Sequence, residues 1–562
     1  MPASGLVNVS SGGKAVGTTV ASGGTVFVAA HGVDSGSTIQ SGGFQTISSS
    51  GGTAKGAIVF GGPLQAQQVF AGGTALNTTL HADRRLDGFA SVTSIVGVVE
   101  DVVEAGGTSV LTKVLSGGIQ DIFLGTAINT TVSSGGHQDV TGGFASITMV
   151  SSGGEQEVFS GGTARLTTIG RGGVQSVDIN GIASTTTIGS GGISEIQSHG
   201  TAIATTIGAG GTQFVNSGGT TSAATISSGG TLLIFSGGLA DPTTILGHGI
   251  EIIHSGGVDS GALIKGGTQF DSGLASSATV FTGSQVVVSG GTATSTTINA
   301  GGTQIVASRA SAMVAIVKFG GKQVVSGGLA LLTVISSGGE QDVGPGGTAE
   351  ALGVIGIGRV SAGGVISGGG FFGATALSGG TEIVGSRGTT SAFAVNAGGK
   401  EIVNSAGTAI GTLVKSGGRE QVGAGGKSIS ASIRTGGTEI LTLGGVASGA
   451  VASSGGRQIA SSGGVASGTT VSSGGVQIVA QGGTASAATL LSGGTEFVSA
   501  GGLPSARSTA AGRNGSAPAA RALPPRSAAA GRRPSLPAAS TAARSSPAAA
   551  FRSSRPAAQR AA

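Results

Sequence analysis

Large aliphatic residues and small polar ones alternate along most of the chain in short runs, and each run is bounded by a glycine pair. One unit spans Gly210 to Ser228. In it Val215 and Ile226 are the large aliphatics, Thr221 is a small residue between them, and Thr, Gln, Asn and Ser fill the remaining places. Neighbouring units repeat this in register. Val215 aligns with Val177 and Ile196, Ile226 with Ile188 and Ile207, and Thr221 with Ala183 and Ala202. One corner pair begins at Gly135, Gly153, Gly172, Gly191, Gly210 and Gly229. A second begins at Gly142, Gly161, Asn180, His199, Gly218 and Gly237, which fixes a period of 19 residues.

The runs between corners have the length of strands and are too short for most helices. Val, Ile and Thr dominate them, and β-branched side chains favour the pleated conformation. A helix would lose roughly 1 kcal/mol for each interior glycine. Such a short unit cannot bury a core alone, but stacked on identical neighbours it forms continuous aliphatic ladders. The pattern therefore predicts an all-β parallel solenoid over residues 12–502, with about 26 rungs. At roughly 4.8 Å per rung the stack would be about 120 Å long. Residues 1–11 read as a lead-in and 503–562 as a separate tail. Gln213 aligns with Gln138, Gln156 and Gln175 on the inward side of its strand. An amide ladder and a solvated rim both fit that placement. The period is disturbed around residues 81–105 and 309–319, and both stretches are expected to loop or bulge off the array.

Composition narrows the picture. Gly accounts for 114 of 562 residues, Cys, Trp and Tyr are absent, and only 9% of residues are charged. Collagen would need Gly at every third position, and a disordered chain would carry more charge and fewer aliphatics. Without Cys there is no disulfide, thiolate metal site or Cys nucleophile. No apolar run is long enough for a membrane-spanning helix. The opening Met1-Pro2-Ala3-Ser4-Gly5 lacks the basic start and apolar stretch of a signal peptide. The net charge of +5 belongs to the tail. Residues 503–562 hold ten Arg and no acid; removing those ten from 29 Lys and Arg leaves 19 against 24 Asp and Glu, a net of −5 for residues 1–502. Nucleic-acid binding by the array has no electrostatic basis.

Few residues suggest chemistry. His199 and His248 stand where the first corner glycine would be, as does Asn180, and read as turn variants. No His pair has metal-ligand spacing, so no metal and no cofactor is expected. Asp and Glu are not read as recurring with the period, which argues against a calcium-binding β-roll. Gly425-Gly426-Lys427-Ser428 resembles the end of a phosphate loop, but Gln421 occupies the required earlier glycine. Gly356-Ile357-Gly358 lacks the third glycine of a dinucleotide fingerprint, Ser361 standing there instead. Glu155 and Glu157 form an acidic pair with no periodic neighbour in view and read as a solvated strand face. Hydroxyls are the abundant functional group. Serines precede many corners, among them Ser116, Ser134, Ser160, Ser217 and Ser236, where they suit backbone bonding, modification or contacts between solenoids.

The alternation Ser-Gly-Gly-x-Gln-x-Val and Gly-Gly-x-Ala-x-x-Thr-x-Ile resembles the repeat of AIDA-type autotransporter adhesins, including antigen 43-like self-associating proteins. Ser134-Gly135-Gly136-His137-Gln138-Asp139-Val140 and Ser160 to Ile169 carry the likeness, which covers about nine-tenths of the chain. The resemblance implies a right-handed parallel β-helix passenger at the bacterial surface, associated with the outer membrane or secreted. It implies adhesion, aggregation or biofilm formation, with host or bacterial cell surfaces and other copies as partners. It also implies glycosylation by a glycosyltransferase, which here would fall on Ser134, Ser160, Ser217 and Ser236. The reading is non-enzymatic. A carbohydrate-active β-helix enzyme is the alternative, and acids stacked on one face would be its mark.

The tail holds eight of the 12 Pro, and its composition reads as disordered. Yet Pro518-Ala519-Ala520, Pro537-Ala538-Ala539 and Pro556-Ala557-Ala558 recur every 19 residues. A GC-rich codon run for Ser-Gly-Gly, displaced by one base, encodes Pro-Ala-Ala. The tail is therefore expected to be repeat DNA translated out of frame. A C-terminal translocation barrel would then lie in the original frame and the chain would be a truncated passenger.

Overall fold

The computed structural model describes residues 5–504, apart from 62–64, 116, 152, 351–352, 355–356, 361–364, 368–374 and 386. The tail expectations, Ser116 and Gly356 fall outside these residues. The described residues form strands and turns with no helix.

Each rung has three short strands. In the rung from Gly210 these are Thr212–Val215, Thr220–Ser222 and Ala224–Ile226. Each strand pairs in parallel with its equivalents in the two adjacent rungs; Val215, for example, lies between Ile196 and Ile234. The middle strands form a ladder of 27 strands, close to the number of rungs that the spacing predicts. The first and third strands join into one sheet of 51. They merge because Leu263–Asp271 and Thr279–Val287 run straight through a corner. There Leu246 faces both Lys265 and Gly266, a bulge that absorbs a change in rung length.

Alternation decides what is buried. Gln213, Val215, Thr221, Ala224 and Ile226 point inward and are buried, while the residues between them face outward. The aliphatic ladder Ile169, Ile188, Ile207, Ile226 and Ile245 is entirely inaccessible. Each such side chain contributes about 1.5–3 kcal/mol on burial.

The two glycines of a corner do different work. Gly161 has φ +84 and open space where a Cβ would stand. At Gly162 a Cβ would overlap the Val140 carbonyl of the rung below. The first place therefore tolerates a residue that can adopt the left-handed conformation. Asn180, His199 and His248 do so with φ of 59°, 62° and 61°.

The glutamines form an amide ladder in the core. Gln138 Nε2 donates to Gln120 Oε1 at 2.8 Å, Gln156 to Gln138 at 2.6 Å, and Gln175 to Gln156 at 2.7 Å. The Thr130, Thr148 and Thr167 hydroxyls donate to the same three oxygens, and Thr186 donates to Gln175 Oε1, all at 3.0–3.2 Å. A second run links Gln269, Gln285, Gln304, Gln323 and Gln341 at 2.6–2.8 Å. Stacking thus satisfies amides that a single rung would bury unpaired.

The expected departures at 81–105 and 309–319 do not occur. Arg84 occupies the glutamine register, paired with Gln67 on one side and Asp101 on the other. It is fully buried, and Nε and Nη2 bond both Asp101 oxygens at 2.7 Å while Nη1 donates to Thr93 at 3.2 Å. An internal ion pair in shortened rungs accounts for the disturbed pattern. Arg309 is a corner residue with φ 61°, and Ser311–Met313 and Ile316–Val317 stack in register.

Candidate functional site

The four singled-out serines all lie exposed at corners. Ser160, Ser217 and Ser236 share one corner line, whereas Ser134 lies on the other. The shared line is densest where Ser198, Ser217, Ser236 and Ser255 follow one another on consecutive rungs, all exposed. The corner backbones stack by Gly218 N donating to Gly237 O and Gly237 N to Gly256 O, each at 2.8 Å. The hydroxyls are thus held in a column by main-chain bonds. Ser198 Oγ also lies 2.8 Å from His199 Nδ1.

The acidic pair is not isolated. Asp121 pairs with Asp139 and Asp139 with Glu157, forming an outward, half-buried column, with His137 beside Glu155 at 3.5 Å. Burial raises the Asp139 carboxyl to about 6, helped by the neighbouring charges of Glu157 and Asp121. Burial also raises Asp121 and Glu157. Rungs of 18 residues place these acids in register, so a strict 19-residue comparison misses them. Farther along the same outward register the face becomes apolar, running from Phe214 through Ile252 and Phe270 to Val324.

Acids recur inside as well, contrary to expectation. Glu382, Glu401, Glu420 and Glu439 occupy the glutamine register on successive rungs. Glu251, Asp259 and Asp271 surround Gln269, whose Nε2 donates to Glu251 at 2.7 Å and to Asp259 at 2.8 Å. Burial raises Glu251 and Asp271 to about 7. Among the described residues, no three His, Asp or Glu side chains converge to hold a metal ion. The glycine-rich segment at Gly425 is a corner followed by the strand Lys427–Ile429, with Ser428 buried, and no helix N-terminus is present there to receive a phosphate.

Residues 136–192 and 442–494 match the family model of AIDA, the adhesin of the bacterial autotransporter system, probable stalk. Among solved structures, a TibA fragment hyper-glycosylated by TibC is similar at 28% identity. The match covers 65% of this chain and 99% of that one, with a TM-score of 0.24. No curated protein matches significantly. Both matched stretches lie within one ladder of stacked rungs. Residues 136–192 and 442–494 of the solenoid thus carry repeats similar to those of the AIDA autotransporter adhesin stalk.

Proposed function

We propose that this chain is the surface-exposed passenger of an autotransporter adhesin, acting by contact and not by catalysis. The observation that carries this reading is the match of two separate stretches to the AIDA stalk model within one continuous ladder. Such an array holds its outer columns at fixed spacing, which suits multivalent contact with host cells, other bacteria or copies of itself. The exposed corner serines Ser134, Ser160, Ser217 and Ser236 are the proposed acceptors for a glycosyltransferase. Display of residues 1–502 behind a translocation barrel should make bacteria settle and bind surfaces. Unchanged settling together with no surface binding would sink the proposal. The column Asp121, Asp139 and Glu157 favours a second reading, sugar cleavage. Release of sugar reducing ends that disappears in Asp139→Asn would support that reading over adhesion.

A further inference from the structure

The amide ladder needs a donor and an acceptor on every rung, and glutamine supplies both. From Glu382 to Glu439 glutamate takes its place on four consecutive rungs, each side chain fully buried. An ionised carboxylate has no proton to donate. Four ionised glutamates would also set like charges about 5 Å apart in a dry core.

The partners differ from rung to rung. Glu401 accepts the Thr390 hydroxyl at 2.7 Å and the Thr412 hydroxyl at 2.9 Å. Glu439 accepts Gln458 Nε2 at 2.8 Å. Neither oxygen of Glu382 or Glu420 has a hydrogen bond of good geometry. Two glutamates with well-formed bonds therefore alternate with Glu382, which has none, and Glu420, which has only the Ser428 hydroxyl beside it. Protons on Glu382 and Glu420 would complete the ladder, Glu382 giving its O–H to Glu401 and Glu420 giving its O–H to Glu401 or Glu439.

We propose that the segment from Glu382 to Glu439 is a proton-locked section of the solenoid, closed while these glutamates share protons and loosened as they ionise.

Among the described residues the surroundings offer no cation. Ser428 lies beside Glu420 and Glu439; the middle strands otherwise contribute Thr390, Ala409 and Ala447 to this interior, and the next positions contribute Phe393, Thr412, Ala431 and Ala450. Gly358 and Gln458 close the column at its two ends. Lys400, Arg419 and Lys427 are adjacent in sequence but exposed on the outer side. Burial, reinforced by the neighbouring glutamates, raises Glu382 and Glu420 well above the ordinary carboxylate range. Burial also raises Glu401 to about 7 from an ordinary 4.5, against the two threonine bonds. With the folded value raised, the stabilisation is complete below about 4.5 and is lost as pH rises through about 7.

Hydrogen exchange of the full chain at pH 5 and pH 8, corrected for intrinsic rates, tests this. Amides of Thr381–Val384, Lys400–Val403, Arg419–Val422 and Thr438–Leu441 should lose protection by about tenfold or more at pH 8, one pKa unit being a factor of ten. The Gln120–Gln175 rungs should hold theirs. Replacing all four glutamates with glutamine should abolish the difference while keeping the rungs protected. Should that variant misfold, the infrared band of protonated carboxyl groups near neutral pH should still weaken in Glu420→Gln alone. Equal protection of the segment at both pH values, or a pH effect that survives the glutamine replacements, overturns the proposal.

Discussion

Replacing Gly162 with alanine separates the two roles within a corner. The added Cβ would overlap the Val140 carbonyl oxygen and stand 2.7 Å from its carbon and 3.0 Å from Phe159 O. These are backbone atoms of the rung below and of the turn itself, so no side-chain rotation relieves the clash. The rung must lift, which breaks the bonds from Gly162 N to Phe159 O and from Thr163 N to Gly143 O, both 2.9 Å. Two bonds at about 1 kcal/mol each and overpacking of about 1–3 kcal/mol give roughly 3–5 kcal/mol. Gly161→Ala meets no atom and bears only the left-handed backbone, about 1 kcal/mol. Because an array of rungs can open locally, the readout is hydrogen exchange of the strands Glu155–Phe159 and Thr163–Arg165. Gly162→Ala should accelerate it on the order of a hundredfold or more, Gly161→Ala by about fivefold. Equal effects from the two variants would refute the assignment of steric work to the second glycine. One rung already accepts alanine there: Ala310 follows Arg309 in a corner and is 1% exposed. The penalty is therefore set by the local approach of the rung beneath.

Other consequences are testable on the same chain. Asp101→Leu leaves the buried Arg84 guanidinium unpaired and should cost about 3–5 kcal/mol, whereas the double change with Arg84→Met should be near neutral in thermal melting. Gln138→Leu strands the Gln156 amide and the Thr148 hydroxyl and should destabilise by roughly 2–4 kcal/mol, more than Thr148→Val at about 1 kcal/mol; denaturant titration with exchange mapping compares them. The Asp139 carboxyl should titrate near pH 6 by carbon NMR and move lower in Glu157→Gln, whose charge raises it; an unmoved midpoint would leave burial as the whole cause.

Much of this architecture was visible as periodicity. The corner glycines, the Val and Ile ladders and the small residue at Thr221 all lie where the alignment of units puts them. Gln213 was ambiguous because inward placement and amide polarity point opposite ways. Threonines ten or eleven residues after Gln138, Gln156 and Gln175 hold the answer, since their hydroxyls complete the buried amides. The stretch 81–105 looks like a departure from the array because the register shortens to 17 residues on both sides of Arg84. The interior glutamates recur with the period itself, but an acid in a repeat suggests a wet surface until neighbouring rungs show what encloses it. Most middle and third strands, such as Thr220–Ser222 and Thr206–Ile207, are only two or three residues long, too short for alternation to announce them.

The glutamine ladder is polar in the vectorial sense. Every amide hands its N–H toward the lower-numbered rung, so each run must end there on an oxygen that accepts without donating onward along the row. Gln45 ends on Asp34, Gln120 on Ser109, Gln269 on Glu251 and Asp259, and Gln458 on Glu439. At the opposite end a run has a carbonyl to spare, and the unmatched buried oxygens of Gln67, Gln341 and Gln477 stand there, each on the last glutamine of its run. Core carboxylates, and in one run the Ser109 hydroxyl, thus behave as terminators that cut one long array into separately wired blocks. Splicing or duplicating units within a block leaves this wiring intact. A cut across a terminator leaves an amide proton with nowhere to go, which gives recombination among repeats a grammar beyond counting to 19.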